Sequence, residues 1–365
     1  MDNNSNLLYM QVKQEIKNKL LTLKTNDRLP SRNELIKEYN VTRTTVDRAI
    51  SELIGEGYLY TKDGSGTYKK EDPDLDSISL GSSSVDSWGV ILPDIMHNTY
   101  PGILRGVEDV ASKSGINVVI CNTDNLIEKE NKYIYKLIDS KVRGIIIIPG
   151  IIGEGSNCEA YNRLKEMDIP FVLCNRGATG VEAPMVLSNN FYGALLATQH
   201  LLSQGYRNIA YISRPMYSTS LDRYQGYITA LSQKGIPVCG DYVIFEKTFE
   251  EEKPGYESAR SLLRTHPELD AVFCFNDEVA QGVYKAMEEG GRRVGMDAGI
   301  VGYDDTDICE AFPAKLSSVK FKTYEIGSIA ARILLKIRHG EAVPPNKIVI
   351  LQPELEIRDS SRRSL

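Results

Sequence analysis

The sequence has few of the residues and motifs on which catalysis and metal binding depend. It contains six cysteines and four histidines in 365 residues, and they do not have the spacings of a zinc site or of a redox-active CxxC pair. It also lacks a G-x-S-x-G elbow, a P-loop and a G-x-G-x-x-G that opens a helix. We therefore expect no enzymatic activity, no catalytic residues, no cofactor and no bound metal.

Long apolar runs are also missing. No stretch approaches the length of a membrane span, and the N-terminus has no apolar segment typical of a secretory signal. Several cysteines lie within short apolar runs, such as Cys121 and Cys174, which is typical of buried free thiols in a reducing compartment. These absences predict a cytoplasmic protein that does not bind a membrane.

The net charge is only −6, but it is unevenly distributed. Residues 1–70 contain 12 Lys and Arg against 9 Asp and Glu, a balance of +3, whereas the remainder contains 31 against 40, a balance of −9. A mildly basic segment followed by an acidic one fits contact with nucleic acid at one end only. The length predicts two or three domains, and 42% apolar residues are enough for ordinary globular cores.

Residues 29–68 have the pattern of two short helices followed by a β-hairpin. Ser31 and Glu34 have the spacing of a capping box at the start of the first helix. Thr42 can cap a second helix, and Asp63-Gly64 has the composition of a hairpin turn. A further helix is expected over 7–21. Helix, turn, helix and hairpin in this order predict a winged helix-turn-helix domain.

The second of these two helices is the candidate reader of DNA. Its first turn is short and polar with one long cation, Arg43, which can fork onto guanine, while threonines can contact phosphate or a thymine methyl group. The hairpin suits a wing that lies along the backbone or the minor groove. The residues that we expect to contact DNA are Ser31, Arg32, Thr42, Arg43, Thr44, Thr45, Lys62, Gly64 and Gly66.

From Trp88 onward, apolar runs alternate with amphipathic stretches. The runs are rich in Val and Ile and occur at 88–92, 116–121, 142–149, 170–175, 208–213, 270–276, 299–303 and 316–321. Helices are expected near 101–114, 128–140, 159–167, 190–204, 221–234, 256–264, 277–289 and 324–338. Such alternation predicts an α/β fold with parallel sheets. About ten strands are many for one sheet, so we expect two lobes with a ligand site in the cleft between them.

Polar and aromatic residues follow the ends of several predicted strands. Amide, carboxylate and guanidinium groups pair with neighbouring hydroxyls, and aromatic faces cover C–H groups, which is the chemistry of a sugar site. Each residue also has a local alternative, since Asn276 or Asp304 could simply cap a following helix and His97 could be an ordinary loop residue. The candidate effector-binding residues are Asp94, His97, Tyr100, Asn175, Arg223, Phe249, Asn276 and Asp304.

Residues 7–70 strongly resemble the DNA-binding domain of GntR-family transcription regulators. The matching segments are LYMQV at 8–12, LPSR at 29–32, VTRTTV at 41–46, EG at 56–57 and GSGT at 64–67. The family usually has a DNA-contacting arginine where this chain has Asp47. A carboxylate there repels phosphate but can accept a hydrogen bond from cytosine, so the operator sequence cannot be transferred from the family.

The segment from Ser87 to Arg358 resembles the LacI/GalR effector domain, which is itself similar to periplasmic sugar-binding proteins. The matching segments include PGILRGVE at 101–108, VRGIIIIP at 142–149, FND at 275–277, VGYDD at 301–305 and LSSVK at 316–320. The resemblance implies that Arg223, Asn276 and Asp304 hold effector hydroxyls, with Asn175 where the family often has Asp. A GntR-type head on such a body is similar to the arabinose repressors of Gram-positive bacteria, which implies a pentose or deoxyhexose effector.

Together these features predict a head (residues 1–70), a linker (71–86) and a body (87–365) that binds effector and dimerises. The expected function is a sugar-responsive repressor of carbohydrate-utilisation genes, whose partners are operator DNA, a sugar and a second copy of the chain. One alternative is a GntR-type head fused to an enzyme-like or other sensor body. The sequence leaves the sugar, the operator and the direction of the response open.

Overall fold

The chain forms two compact units, which are divided between Ser84 and Val85. The computed structural model describes residues 12–13, 15–16, 19–20, 23, 26–55, 58–62, 65–70, 86–153, 158–249 and 253–363. Most of the predicted linker and the predicted hairpin turn at 63–64 lie outside these residues. The head belongs to the first unit and the body to the second.

The described part of the head has the elements of a winged helix-turn-helix. They are α1 (Arg32–Tyr39), α2 (Arg43–Gly55), β1 (Leu59–Lys62) and β2 (Gly66–Lys69). Ser31 caps α1 through the predicted capping box. Its side chain accepts a hydrogen bond from the backbone amide of Glu34, and the Glu34 side chain accepts a 2.7 Å hydrogen bond from the Ser31 amide. Asn40 ends α1 in the left-handed conformation, with φ 51°.

The described elements of the head share an apolar core. Val12, Ile16 and Leu20 of the predicted first helix are helical and buried, and the remainder of that helix lies partly outside the described residues. The other members of the core are Leu29, Leu35, Val46, Ala49, Ile50, Leu53 and Leu59. The apolar stripe of α2 therefore faces inward, which leaves its polar first turn at the surface.

The described residues of the body form two six-stranded sheets, each belonging to one lobe. Its elements are β3 (Ser87–Leu92), α3 (Tyr100–Lys113), β4 (Asn117–Asn122), α4 (Ile127–Asp139), β5 (Ile145–Ile147), α5 (Cys158–Glu166), β6 (Phe171–Cys174), β7 (Met185–Ser188), α6 (Asn190–Ser203), β8 (Ile209–Ser213), α7 (Ser218–Gln233), β9 (Val243–Phe245), α8 (Tyr256–Thr265), β10 (Ala271–Cys274), α9 (Asp277–Glu289), β11 (Gly299–Tyr303), β12 (Ser317–Lys320), α10 (Thr323–Arg338), β13 (Ile348–Leu351) and β14 (Glu354–Glu356). The strand order is β13-β7-β6-β5-β3-β4 in the first lobe and β14-β12-β11-β10-β8-β9 in the second.

All neighbouring strands in both sheets are parallel except β12 and β14, which are antiparallel. The chain passes between the lobes after β7, after β12 and after β13. The α/β fold with two parallel sheets is thus confirmed. The carboxyl ends of strands from both lobes supply the residues of the cleft.

Four short strands were not among the apolar runs in the sequence, namely β7, β9, β13 and β14. They contain three or four residues each, and none is buried along its whole length. Interior strands such as β6 and β10 are buried at every position and therefore give continuous apolar runs. No helix in the described ranges is long and apolar enough to cross a membrane.

Candidate DNA interface and effector cleft

The cleft between the two lobes of the body is bridged by side chains that follow strand ends. Thr99, after β3 of the first lobe, donates a 3.4 Å hydrogen bond from Oγ1 to Oδ2 of Asp304, after β11 of the second. Nearby, the Nε2 atom of His97 lies 3.7 Å from the carboxylate of Glu278 on α9. Residues of the two lobes therefore touch where the ligand of such a fold is expected.

Arg223 of α7 is held in the cleft by several contacts. Its Nε donates a 3.0 Å hydrogen bond to Oδ1 of Asn190, and its Nη1 donates to the carbonyl of Phe275. The guanidinium also lies 3.4 Å from the ring centroid of Tyr303, within cation–π range. Its remaining Nη2 is 3.7 Å from Oδ1 of Asp304, so the fork points to the cleft carboxylate.

Asp304 has an unusual backbone conformation and a raised carboxyl pKa. Its backbone has φ 101°, a conformation that non-glycine residues seldom adopt and that often marks a functional site. Burial raises the pKa of its carboxyl group to about 6, and the nearby Arg223 opposes that rise. The acid can therefore gain or lose a proton near neutral pH, and it can accept hydrogen bonds from ligand hydroxyls when it is ionised.

A second buried guanidinium, Arg176, lies on the first-lobe side of the cleft. Its Nε donates to the carbonyl of Pro149 at 2.6 Å, and its Nη2 donates to Oδ1 of Asn125 at 2.8 Å. The guanidinium lies 5.7 Å from the ring centroid of Tyr217, and its charge opposes the rise in the pKa of Tyr100 that burial causes. Arg176 thus lies beside Tyr100 and Tyr217 in the cleft.

Aromatic rings complete the wall of the cleft on the second lobe. Tyr217 lies at the start of α7 and packs against Phe249 and Phe275, with ring centroids 5.9 and 6.0 Å apart respectively. Arg214 lies beneath Phe249, 5.5 Å from its ring centroid, and forms a 2.8 Å ion pair with Glu246. Buried polar forks beside aromatic faces can bind hydroxyls and C–H groups of one small polar molecule.

The predicted effector-binding residues divide into two groups in this geometry. Tyr100, His97, Arg223 and Asp304 lie in the cleft, in contact with one another or with the opposite lobe. Of the other four, Asp94, Asn175 and Asn276 make mainly local interactions, whereas Phe249 contributes its ring to the aromatic wall.

Two of these four, Asn276 and Asp94, stabilise neighbouring backbone. Oδ1 of Asn276 accepts a 3.0 Å hydrogen bond from the amide of Val279 and caps α9, which is the local alternative for this residue. Asp94 is exposed, and its Oδ1 accepts a 2.9 Å hydrogen bond from the amide of Met96 within a turn.

For Asn175 and Phe249 the recorded hydrogen bonds involve the backbone. Asn175 is half-buried with φ 64°, and its amide donates to the carbonyl of Val186. The carbonyl of Phe249 accepts a 2.5 Å hydrogen bond from Arg214. The ring of Phe249 nevertheless belongs to the aromatic wall, so this residue contributes to the cleft through its face.

The predicted set of effector-binding residues omits Thr99, Arg176, Tyr217 and Phe275. Arg176 directly follows β6, so its place at a strand end was a usable signal. Thr99 and Tyr217 lie in loops whose course no apolar pattern encodes.

In the head, the candidate DNA-contacting residues lie on the first turn of α2 and on the wing. Arg43 is the first residue of α2, and its side chain is 72% exposed. Thr42 and Thr44 are exposed, and their hydroxyls lie 2.9 Å apart. Thr45 and Lys62 are half-buried and exposed respectively, Gly66 has φ 134°, and Gly64 lies outside the described residues.

The remaining candidate contacts of the head lie at the start of α1. Ser31 is exposed and is the N-cap of the helix, so its hydroxyl is directed to the backbone of Glu34. Arg32 donates from Nε to Oδ1 of Asp47 at 2.6 Å. The departure from the family pattern at Asp47 is therefore in direct contact with a candidate DNA-binding residue.

A winged helix-turn-helix joined to a two-lobed α/β body with a polar cleft defines a class, the ligand-responsive transcription regulators. Residues 8–68 match the model of the gntR family of bacterial regulatory proteins, and residues 198–361 match that of the periplasmic binding protein-like domain.

The chain is 30% identical over 359 residues to the arabinose metabolism transcriptional repressor of Geobacillus stearothermophilus, and the aligned region covers 97% of each chain. It is 36% identical over 252 residues to the ribose operon repressor of Halalkalibacterium halodurans, covering 68% of this chain and 71% of that one. A solved LacI-family regulator from Enterococcus faecium with bound ribose is 30% identical, with a TM-score of 0.64 over 75% of this chain and 98% of that one. The chain belongs to the family of bacterial transcription regulators that join a GntR-type DNA-binding domain to a periplasmic-binding-protein-like domain.

Proposed function

We propose that this chain is a sugar-responsive repressor that leaves its operator when a free pentose or deoxyhexose occupies the cleft. The observation that carries the proposal is the hydrogen bond from Thr99 to Asp304, which joins the two lobes. Arg223 lies 3.7 Å from the same carboxylate, beside aromatic faces. A ligand that replaces or completes this set interacts differently with open and closed lobes. Such differential affinity is what allows a ligand to shift a conformational equilibrium.

The charges of the cleft favour a neutral polyol over a sugar phosphate. Arg176 and Arg223 already donate to buried carbonyl and amide oxygens. Arg214 is paired with Glu246, and both side chains are at least 90% buried. A phosphate would therefore have to displace existing partners, whereas sugar hydroxyls can both donate to Asp304 and accept from the arginines. The named sugars of the related repressors, arabinose and ribose, are neutral pentoses.

The proposal also includes a homodimer in the cytoplasm, without enzymatic activity. One winged head makes few base contacts, and two heads related by a two-fold axis match a two-fold operator. Sugar binding to the body then changes the affinity of the dimer for DNA by coupling two distinct sites. Sedimentation at concentrations used for DNA binding tests the dimer, and a monomer that binds operator with full affinity would exclude it.

The sugar is found by measuring melting temperature with L-arabinose, D-ribose, D-xylose, L-fucose, D-glucose and ribose 5-phosphate. A ligand that binds the native state raises the melting temperature, by an amount that grows with its concentration relative to its dissociation constant. The same sugar should lower the affinity for a duplex selected by the protein from a randomised library.

Asp304→Asn should lose both sugar effects and keep DNA binding, whereas Glu257→Gln on the exposed face of α8 should keep all three. If no sugar changed either the melting temperature or DNA binding, the proposal would be wrong.

A further inference from the structure

We propose that Asp47 is a positioning residue for DNA recognition, whose carboxylate holds Arg32 and Arg43 together as one unit. This inference rests on the proposed role of the head in DNA binding. It gives a function to Asp47, at which α2 departs from the family pattern. Asp47 then acts on DNA indirectly, through the two arginines.

The carboxylate of Asp47 lies between two guanidiniums from different helices. Its Oδ1 accepts a 2.6 Å hydrogen bond from Nε of Arg32, the first residue of α1. Its Oδ2 lies 3.6 Å from Nε of Arg43, the first residue of α2. One side chain therefore connects the start of the first helix to the start of the reading helix.

The same set reaches the wing. Nη1 of Arg32 lies 3.5 Å from the hydroxyl of Thr67, which is buried in β2. Arg32 thus bridges Asp47 on α2 and Thr67 on the wing strand. The three proposed DNA-contacting elements of the head are linked through this one arginine.

The geometry leaves part of each guanidinium available to DNA. Asp47 engages both arginines through Nε, so the paired Nη groups that fork onto guanine or phosphate are not used by the carboxylate. The side chains of Arg32, Arg43 and Asp47 are 38%, 72% and 42% exposed, which means that water still screens these pairs. The contact can orient the arginines without preventing them from binding DNA.

The negative charge also acts on specificity. A carboxylate between two arginines neutralises part of the positive charge that these arginines present to phosphate groups. Binding to arbitrary DNA depends mainly on phosphate contacts, whereas operator binding also uses base edges. Asp47 should therefore weaken nonspecific binding more than operator binding, which raises the ratio between them.

Direct reading of cytosine by Asp47 is the competing explanation. It requires a carboxylate oxygen to turn to a base, whereas both oxygens are directed to arginines in this structure. The two explanations predict different energetic coupling between Asp47 and the arginines in double-mutant cycles. A positioning residue loses its effect when its arginines are removed, but a residue that reads a base directly does not.

The test uses the full-length protein with Asp47→Ala and Asp47→Asn, each alone and combined with Arg43→Ala or with Arg32→Ala. The probes are a duplex selected by the unmodified protein from a randomised library and an unrelated duplex of equal length. Affinity for both is measured over a range of salt concentrations. Glu52→Gln is the matched control, because this carboxylate lies on the same helix and pairs with Lys13 and Arg48.

We expect Asp47→Ala to raise affinity for the unrelated duplex by about 3- to 10-fold and to steepen its salt dependence by up to about one counterion. The preference for the selected duplex should fall by a similar factor. In the Arg43→Ala or Arg32→Ala background, the effect of the Asp47 substitution should be clearly smaller. Glu52→Gln should leave the preference unchanged, and circular dichroism should show each variant folded.

Two results would overturn the inference while the proposed function stands. One is an Asp47→Ala effect that is equally large with and without the arginines. The other is a loss of discrimination confined to a single C·G pair, with the salt dependence unchanged, which would indicate direct cytosine reading. If the unmodified protein failed to select any duplex, the proposed function and this inference would both be wrong.

Discussion

Thr99 and Asp304 lie 205 positions apart in the sequence and on different lobes, yet a hydrogen bond of 3.4 Å joins their side chains. The same carboxyl group faces Arg223 across 3.7 Å. The carboxyl group of Asp304, on the second lobe, therefore links Thr99 of the first lobe to Arg223 of the second. Any ligand that bonds to Asp304 acts on the contact between the lobes at the same time.

Thr99→Val should weaken sugar binding by removing this contact without changing the size of the side chain. A net hydrogen bond is worth about 0.5–1.5 kcal/mol, which corresponds to about 2- to 10-fold in affinity. The melting temperature without sugar should change little, because Thr99 lies in the loop before α3 and outside the sheets. Calorimetric titration with the identified sugar checks this, with Thr99→Ser, which keeps the hydroxyl, as the control. Equal affinity of the Val and Ser variants would contradict it.

Sugar affinity should fall as the pH is lowered through about 6. Burial holds the pKa of Asp304 at about 6, above the ordinary value of 3.8, and the ionised form is the one that accepts two or more hydroxyl hydrogen bonds. Below this pKa a proton competes with the sugar, so affinity should drop about tenfold one unit below it. Asp304→Asn should bind weakly at every pH, whereas a profile that stays flat in the unmodified protein would refute the assignment.

Protein stability should show the opposite pH trend. Asp277 is buried and accepts hydrogen bonds from Ser318 and Thr306, and its pKa is raised to about 7, mainly by burial. An acid with a raised folded-state pKa binds more protons when folded, so its stabilising contribution is present at low pH and is lost as the pH rises through the folded value. Between about pH 4 and 7 the free energy of unfolding should therefore fall more steeply in the unmodified protein than in Asp277→Asn. Urea titrations at several pH values measure both slopes, and identical slopes would contradict this.

The sequence alone predicts the parts of the fold whose residues are buried in a regular pattern. Strands such as β6 and β10 are surrounded on both faces, and their apolar runs are unmistakable. Because strand ends converge in such folds, Tyr100, Arg223 and Asp304 could be assigned to one cleft before any coordinates.

The remainder of the cleft depends on loop geometry that residue patterns do not encode. Asp94 and Asn276 occupy strand ends like the others, but their side chains bond to backbone amides two and three residues further along the chain. Arg176 points into the cleft because Pro149 and Asn125 accept its hydrogen bonds, and these partners come from other loops. Whether a polar residue caps its own helix or reaches a ligand is decided by those tertiary partners.

Arg176→Lys should damage both stability and sugar binding although the charge is kept. The guanidinium is 4% exposed and forks onto Pro149 and Asn125, and an ammonium group cannot reproduce that planar geometry. Leaving a buried acceptor unpaired costs about 1–3 kcal/mol in the free energy of unfolding. Chemical denaturation and sugar titration measure the two effects. Arg163→Lys, on the exposed end of α5, is the control and should behave like the unmodified protein.

Arg43→Ala should reduce operator binding about 5- to 150-fold, because a bidentate arginine–guanine contact contributes about 1–3 kcal/mol of discrimination. Arg43 is the first residue of α2, and 72% of its side chain is exposed. Among the described residues, its ion-pair partner is Asp47, at 3.6 Å. Affinity for an unrelated duplex should fall less, and if the residue reads a base, the salt dependence should change by less than about one counterion. Arg260→Ala removes an equally exposed arginine from the body, with 67% of its side chain in solvent, and should leave DNA binding intact. Anisotropy measurements with both duplexes separate base reading from phosphate contact, since a uniform loss on all DNA would assign Arg43 to the backbone and no loss would remove it from the interface.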